Sequence, residues 1–242
     1  MLTLRPTASD GAPPLLEAKG LHKTYRLGDT RIPALRGVDL AVARGEFLVI
    51  AGPSGSGKTT LFNLLGTLDE PDAGRVFFNG KDVTAQSVTE KTLLRRRSLG
   101  FVFQTFNLVP VLSAYENVEY PLWIDGVPAT ARRDRVVKAL AAVALTDRLD
   151  HRPDQLSGGE RQRVSVARAL VHDPLVVLAD EPTANLDSKT GGSIVELLAR
   201  LNSECGTTFL LATHDPAIIE RAPRTVRLTD GEVVADTSKG VG

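Results

Sequence analysis

The sequence is poor in cysteine, tryptophan and methionine, with one of each in 242 residues. The lone Cys205 excludes a disulfide within the chain and fits a reducing compartment, so we expect a small buried or half-buried side chain there. Aromatic residues make up only 5% of the chain, so any local concentration of them is informative.

An excess of charge of one sign is also missing, because 29 lysine and arginine residues balance 29 aspartate and glutamate residues. This balance argues against a nucleic-acid partner bound through a general basic face. No apolar run approaches the roughly 18 residues of a membrane-spanning helix. The start, "MLTLRPTASDGAPP", has no apolar core of signal-peptide length.

The length suits one large domain or two small ones, and no internal repeat or long linker divides the chain. The composition of the two ends predicts flexible tails at residues 1–14 and 236–242, which leaves one domain over 15–235. Weak strand signals predict a helical insertion over residues 108–170. The domain core would then comprise 15–107 and 171–235.

Three short apolar runs without alternation predict strands of a parallel sheet that is buried on both faces. They are "EFLVIA", "LVVLA" and "TTFLLAT". Helical patterns such as "TTLFNLLG", residues 129–145 and "GGSIVELLARLN" lie between them, so the chain predicts an α/β fold. Asn79-Gly80 and Asp230-Gly231 suit two-residue hairpin turns, which should attach antiparallel strands to the core.

The stretch "GPSGSGKT" matches G-x-x-x-x-G-K-[ST], follows a predicted strand and opens a predicted helix. Backbone N–H groups of such a loop approach phosphates, Lys58 reaches the β and γ oxygens, and the Thr59 hydroxyl ligates Mg²⁺. A nucleoside triphosphate is therefore expected here. The residues predicted to bind it are Gly52, Pro53, Ser54, Gly55, Ser56, Gly57, Lys58, Thr59 and Thr60.

Polar residues also stand at the carboxyl ends of predicted strands, the edge where α/β folds bind ligands. Asp180 would hold Mg²⁺ through water, and Glu181 would polarise the attacking water or would simply be a loop carboxylate. Gln104 ends "LGFVFQ", a further predicted strand, and its amide can coordinate Mg²⁺ or the water. His214 can hydrogen-bond the γ-phosphate, although a lone histidine is more often structural.

The stretch "LSGGERQRVSVARAL" combines one feature that stabilises a helix start with another that weakens it. Ser157 and Glu160 have the spacing of a helix capping box. Gly158 and Gly159, however, weaken the first turn by roughly 1 kcal/mol each relative to alanine. The glycines either ease a turn or admit an anion to the free N–H groups and dipole of the helix N-terminus.

The motifs "GPSGSGKTT", Gln104, "LSGGERQRV", "VVLADEPT", "NLD" and "TH" occur in the order found in ATP-binding cassette (ABC) ATPases, which the chain resembles over about residues 15–235. The resemblance implies a RecA-like P-loop NTPase core with an antiparallel β subdomain and a helical insertion. It implies ATP and Mg²⁺ as cofactors and a head-to-tail dimer. In that dimer, the γ-phosphate of one subunit's ATP is bound by the other subunit's Ser157, Gly158, Gly159 and Glu160.

Other positions carry over from the resemblance one at a time. Tyr25 resembles the aromatic residue that stacks on adenine, although an isolated tyrosine could equally be packing. Asn185 and Asp187 resemble the loop that links the two sites across the dimer. The catalytic set that the resemblance implies is Lys58, Gln104, Glu181 and His214.

Longer segments resemble the ATPases of lipoprotein-releasing and macrolide-export transporters. This implies an ATP-hydrolysing motor that drives permease subunits in the membrane, on separate chains because the sequence stops after the ATPase. Periplasmic or outer-envelope components would complete the assembly. The ATPase would be peripheral, at the cytoplasmic face of the inner (plasma) membrane. Six aromatic residues fall between 101 and 123 and predict either the core of the insertion or a groove for a partner's helix.

An alternative is an ABC ATPase that transmits a mechanical signal to cell-envelope enzymes without moving a substrate. Soluble ABC proteins of translation or DNA repair have two cassettes or a long coiled-coil insertion, and the sequence shows neither.

Overall fold

The computed structural model describes residues 13–238. Residues 1–12 of the predicted N-terminal tail and 239–242 of the predicted C-terminal tail lie outside this range. The last strand reaches Ser238, beyond the predicted domain end at Ala235, because its backbone keeps pairing with the preceding strand until Ser238 stands opposite Arg224.

The strands form two sheets. They are β1 (Leu16–Leu27), β2 (Thr30–Val42), β3 (Phe47–Ala51), β4 (Ala73–Phe78), β5 (Lys81–Asp82), β6 (Leu99–Val102), β7 (Val176–Asp180), β8 (Thr208–Thr213), β9 (Arg224–Thr229) and β10 (Glu232–Ser238). One sheet has four strands in the order β2-β1-β4-β5, and the other has six in the order β10-β9-β3-β8-β7-β6.

The six-stranded sheet confirms the predicted parallel core. Strands β6, β7, β8, β3 and β9 run parallel, and β10 is antiparallel to β9. The prediction that Gln104 ends a strand was wrong. Pairing of β6 with β7 stops at Val102 opposite Ala179, and the chain turns at Gln104.

Both predicted hairpins are present. Asn79 and Gly80 have φ values of 51° and 76°, and Asp230 and Gly231 have 49° and 82°. Two consecutive positive φ values define the turn type whose twist matches the flanking strands. The first hairpin joins β4 to β5 in the four-stranded antiparallel sheet, and the second joins β9 to β10.

The helices are α1 (Lys58–Leu65), α2 (Val88–Ser98), α3 (Ala114–Ile124), α4 (Ala129–Ala142), α5 (Gly158–Leu170), α6 (Ser188–Cys205) and α7 (Pro216–Arg221). Between β6 and β7 the structure has α3, α4, α5 and two 3₁₀ turns. Helix α4 ends at Ala142, three residues before the predicted end at Leu145.

Alternate residues of the parallel strands enter two different cores. In β3, Val49 and Ala51 pack with α3 to α7, whereas Leu48 and Ile50 pack with α1 and the four-stranded sheet. Because both faces are covered, these strands are apolar throughout, and each fully buried aliphatic side chain contributes about 1.5–3 kcal/mol. The sheet is thereby a rigid base whose carboxyl edge carries the candidate site.

Candidate functional site

The glycine-rich loop leaves the carboxyl end of β3 and enters α1. Gly55 and Gly57 have φ values of 80° and 103°, a region that side-chain-bearing residues rarely adopt. A Cβ atom on Gly57 would overlap the carbonyl oxygen of Ala34, and one on Gly52 would overlap that of Leu228. These glycines are therefore required by the fold of the loop itself.

Lys58, the first residue of α1, is buried beneath this loop. Its ammonium donates to the carbonyl oxygens of Gly52 at 2.8 Å and Pro53 at 2.9 Å. Its Nζ also lies 3.4 Å from Oε1 of Glu181. The charge is thus held at the centre of the loop, where the sequence predicts the phosphates.

Glu181 and His214 follow the neighbouring strands β7 and β8. The Nδ1 atom of His214 lies 3.0 Å from Oε1 of Glu181 and 3.2 Å from its Oε2. The backbone N–H of Glu181 donates to the carbonyl oxygen of Ala212 at 2.9 Å, and the φ angle of Glu181 is 46°. A non-glycine residue in this left-handed region costs of order 1–3 kcal/mol, and such strain is concentrated at functional sites.

Asp180 is the last residue of β7 and is largely buried. Burial raises the pKa of its carboxyl, and a hydrogen bond with the Thr59 side chain acts in the opposite direction. Within the described chain, its Oδ1 has no hydrogen-bond partner. A buried carboxylate oxygen without a donor, beside a threonine hydroxyl, fits the oxygen-ligand chemistry of Mg²⁺.

Gln104 and Asn185 are joined by a hydrogen bond that the sequence did not predict. The side-chain amide of Asn185 donates to the backbone carbonyl of Gln104 at 2.8 Å. Asp187 caps α6, because its Oδ1 accepts from the N–H groups of Lys189 at 3.1 Å and Thr190 at 3.0 Å. Its predicted place in a dimer interface remains a prediction.

The capping box at the start of α5 is confirmed. Oγ of Ser157 accepts from the N–H of Glu160 at 3.2 Å, and Oε2 of Glu160 accepts from the N–H of Ser157 at 2.8 Å. These bonds and the Arg148 guanidinium, 2.9 Å from Oε1, lower the pKa of the Glu160 carboxyl. The capping box and the contact between Arg148 and Glu160 therefore both hold the start of α5.

The two glycines of α5 have different surroundings. A Cβ atom on Gly159 would lie 2.5 Å from Cγ2 of Thr190, so glycine lets α5 pack against α6 within one chain. A Cβ atom on Gly158 would lie 3.1 Å from the end of the flexible Leu186 side chain. Close packing accounts for the second glycine, and no comparable obstacle accounts for the first.

Tyr25 stands in a network formed by residues that the sequence did not single out. Its hydroxyl donates to Oδ2 of Asp69 at 2.9 Å, and Nζ of Lys23 donates to Oδ1 at 2.8 Å. The ammonium of Lys23 also lies 5.3 Å from the centre of the tyrosine ring. Tyr25 as a residue is 38% exposed, so its side chain is partly open to solvent.

The structure brings together Lys58, Asp180, Glu181 and His214. Within residues 13–238, no hydrogen bond or ion pair joins the start of α5 to the glycine-rich loop. One chain therefore presents two separate groups of predicted nucleotide-binding residues.

This fold and this site define a P-loop nucleoside triphosphatase. The profile of the family described as "ABC transporter" matches residues 35–184. The chain belongs to the ABC transporter family as an ATP-binding cassette, and it is an ATPase.

Relatives of two lengths were found. The macrolide export ATP-binding/permease protein MacB of Brucella melitensis is 47% identical over 226 residues, which cover 93% of this chain and 35% of MacB. The chain thus spans about a third of that relative. An uncharacterized ABC transporter ATP-binding protein of Thermotoga maritima is 46% identical over 94% of this chain and 97% of the relative.

Among solved structures, the ATP-binding cassette MJ0796 in a dimeric post-hydrolysis state bound to ADP and Pi has a TM-score of 0.85. It is 43% identical over 92% of this chain and 98% of that chain. A further solved structure, cbiO1 of Clostridium perfringens, described as part of the ABC transporter complex cbiONQ, is 30% identical over 93% of this chain and 89% of that chain, with a TM-score of 0.83. Within residues 13–238, the helices are too short or too polar to cross a membrane.

Proposed function

We propose that the chain is the ATP-hydrolysing motor of a membrane ABC transporter and works as a head-to-tail dimer around two ATP molecules. The observation that carries this proposal is the placement of Glu181 between Lys58 and His214 at the carboxyl edge of the sheet. The post-hydrolysis ADP and Pi state of the MJ0796 dimer supports it.

In this proposal the loop N–H groups and Lys58 bind the β- and γ-phosphates, since the ammonium already lies inside the loop. Thr59, Asp180 and Gln104 would hold Mg²⁺, which neutralises phosphate charge when bound. The partnerless Oδ1 of Asp180 supports this assignment.

Glu181 is the proposed general base. Water attacks the γ-phosphorus, the bond to the ADP oxygen breaks with its electron pair, and Glu181 accepts the proton of the water. The contact with His214 orients the carboxylate, and the imidazole would hydrogen-bond the γ-phosphate.

The second half of each site would come from the other copy. The first N–H groups of α5 have no intrahelical acceptors, and the helix dipole favours an anion there. Ser157 and Gly158 would therefore contact the γ-phosphate that the partner copy holds. Among residues 13–238, no hydrogen bond or ion pair links the start of α5 to the glycine-rich loop, and this supports the arrangement, as do the dimeric neighbours.

Dimerisation tests the composite site. The Glu181→Gln variant, followed by light scattering, is expected to be a dimer with ATP and a monomer with ADP or without nucleotide. A matched Lys58→Ala/Glu181→Gln variant should stay monomeric, because it cannot hold ATP. The composite site would be contradicted if the Glu181→Gln variant stayed monomeric with ATP at protein concentrations at which the wild-type chain shows full ATPase activity.

The membrane partner is expected at an aromatic surface. Tyr120 and Trp123 of α3 stack with ring centres 6.1 Å apart, and their exposed fractions are 44% and 60%. Beside α3, a groove of about 230 Å³ is lined by Leu99, Phe101, Phe103, Asn107, Pro121, Arg168, Ala169 and His172. We propose that a permease helix docks here and that the cassette lies at the cytoplasmic face of the membrane.

The MacB relatives, named as ATP-binding/permease proteins, favour an export or lipoprotein-release type of transporter. The Thermotoga relative, covered over 97% of its length, shows that such a cassette also occurs as a chain of its own. Copurification tests the partner: a permease with few spans and a large extracytoplasmic domain is expected. Capture of a cell-envelope enzyme complex that moves no substrate would favour mechanical signalling instead.

A further inference from the structure

Arg168, in the last turn of α5, binds a loop that the sequence analysis did not connect with it. One terminal nitrogen of its guanidinium donates to the carbonyl of Asn107 at 2.6 Å, and the other donates to that of Phe106 at 2.8 Å. The planar guanidinium is suited to two parallel bonds of this kind, whereas a lysine ammonium is a point donor.

The loop that Arg168 binds is conformationally unusual. Phe106 and Asn107 have φ values of 62° and 49°, so two consecutive residues with side chains adopt the left-handed region. Such residues persist where the surroundings hold them. A second arginine of α5 contributes, because the guanidinium carbon of Arg161 lies 5.4 Å from the centre of the Phe106 ring.

The loop starts at Gln104, whose backbone carbonyl accepts a hydrogen bond from the side-chain amide of Asn185 at 2.8 Å. The segment from Gln104 to Asn107 is therefore held between α5 on one side and the loop after β7 on the other. Arg168 and Asn107 also line the groove beside α3. The Arg168 side chain therefore connects α5, on which it lies, with the Gln104 loop and with the proposed docking groove.

We infer that Arg168 is the positioning residue through which α5 sets the place of Gln104. This inference rests on the proposed function, since it assumes the proposed role of Gln104 in the site and of the start of α5 as the partner's phosphate contact. A movement of α5 on ATP binding, or of a helix docked in the groove, reaches Gln104 through the two bonds of Arg168.

Steady-state ATPase kinetics of the full chain test this role with a double-mutant cycle. Arg168→Met is expected to lower kcat by about 10- to 100-fold, the range for misplacing a reacting group, and to change the KM for ATP by less than about twofold. Arg168→Lys should fall between wild type and Arg168→Met. Gln104→Ala combined with Arg168→Met should be no slower than the slower single variant, because both changes act through one residue.

Arg163 provides a matched control on the same helix. Its guanidinium donates to the carbonyl of Val143 at 3.1 Å and to Oγ of Ser193 at 3.4 Å, away from the Gln104 loop. Arg163→Met should leave kcat within about twofold of wild type, and any loss should multiply with that of Gln104→Ala. Losses of Arg168→Met and Gln104→Ala that multiply would overturn the positioning role, as would unchanged kcat in Arg168→Met.

Failure of the proposed function gives a different result. Wild-type kcat in Gln104→Ala would overturn the role of Gln104 in the site, whatever Arg168 does.

Hydrogen exchange measures the contact between Arg168 and the Gln104 loop without using activity. In Arg168→Met, and to a smaller extent in Arg168→Lys, peptides covering 103–108 should exchange at least about tenfold faster. Peptides of the glycine-rich loop should be unchanged. Equal exchange at 103–108 in wild type and both variants would overturn the contact itself.

Discussion

The Nδ1 atom of His214 lies 3.0 Å from Oε1 of Glu181, and that same carboxylate oxygen lies 3.4 Å from Nζ of Lys58. The three residues come from the ends of β7 and β8 and from the start of α1. The side chain of Glu181 is 14% exposed, whereas that of His214 is 62% exposed. The sheet therefore orients a sheltered carboxylate between two groups from neighbouring elements.

Glu181→Gln is expected to lower ATP turnover by roughly 10²- to 10⁴-fold, because the amide keeps the shape of the side chain but cannot accept a proton. ATP binding should survive, since the loop and Lys58 are unchanged. Single-turnover phosphate release measures the effect. Glu196→Gln, at an exposed glutamate on α6, is the control and should retain wild-type turnover. Near wild-type hydrolysis by Glu181→Gln would refute its role as the base.

Tyr25→Ala is expected to weaken ATP binding by about 1–3 kcal/mol, the range for base–aromatic stacking. Tyr25→Phe keeps the ring and loses the hydroxyl's bonds to Asp69 and Thr60, each worth about 1 kcal/mol at most at this exposed position. Titration calorimetry with ATP distinguishes the two variants. Equal losses in both would show that the hydroxyl matters and that the ring does not stack on the base.

The glycines of α5 are predicted to fail in different ways. Gly159→Ala should lower the unfolding temperature, because the new Cβ atom meets Cγ2 of Thr190, and Thr190→Ser should restore part of the loss by removing that methyl group. Gly158→Ala should keep the wild-type unfolding temperature and lose ATPase activity. Scanning calorimetry measures the unfolding temperature, and a phosphate-release assay measures the ATPase activity. Full activity in Gly158→Ala would show that this glycine only eases a turn.

Much of this fold could be predicted because its patterns are local. The apolar run of β3, the glycine-rich loop and the start of α1 follow one another directly, and Asn79-Gly80 specifies its own turn. Helix α2 was missed although Ser87 and Glu90 form a capping box, because it has no apolar face: Val88 and Leu93 are exposed, and its buried residue is Lys91. The end of β6 at Val102 was missed because pairing with β7, not residue type, decides where the strand stops.

The residues that support the site could not be predicted, because their partners are distant in sequence. Asp69 holds Tyr25, and Arg168 holds the carbonyls of Phe106 and Asn107. The Arg168 contact leaves no motif, since a backbone carbonyl acceptor places no demand on its own side chain, and the Tyr25–Asp69 pair leaves none because the two residues are 44 positions apart. Gly159 shows the same limit: its sequence context points to a phosphate, whereas its packing against Thr190 is visible only in three dimensions.

Crosslinking between two different chains tests the shared site most directly. One chain carries Ser54→Cys in the glycine-rich loop and the other carries Ser157→Cys at the start of α5; both serines are exposed. With Glu181→Gln in both chains, mixing them with ATP and a short thiol crosslinker should give a covalent dimer, and ADP should give little. A single chain that carries both cysteines and links only within itself, with no dimer between the two single-cysteine chains, would contradict the shared site.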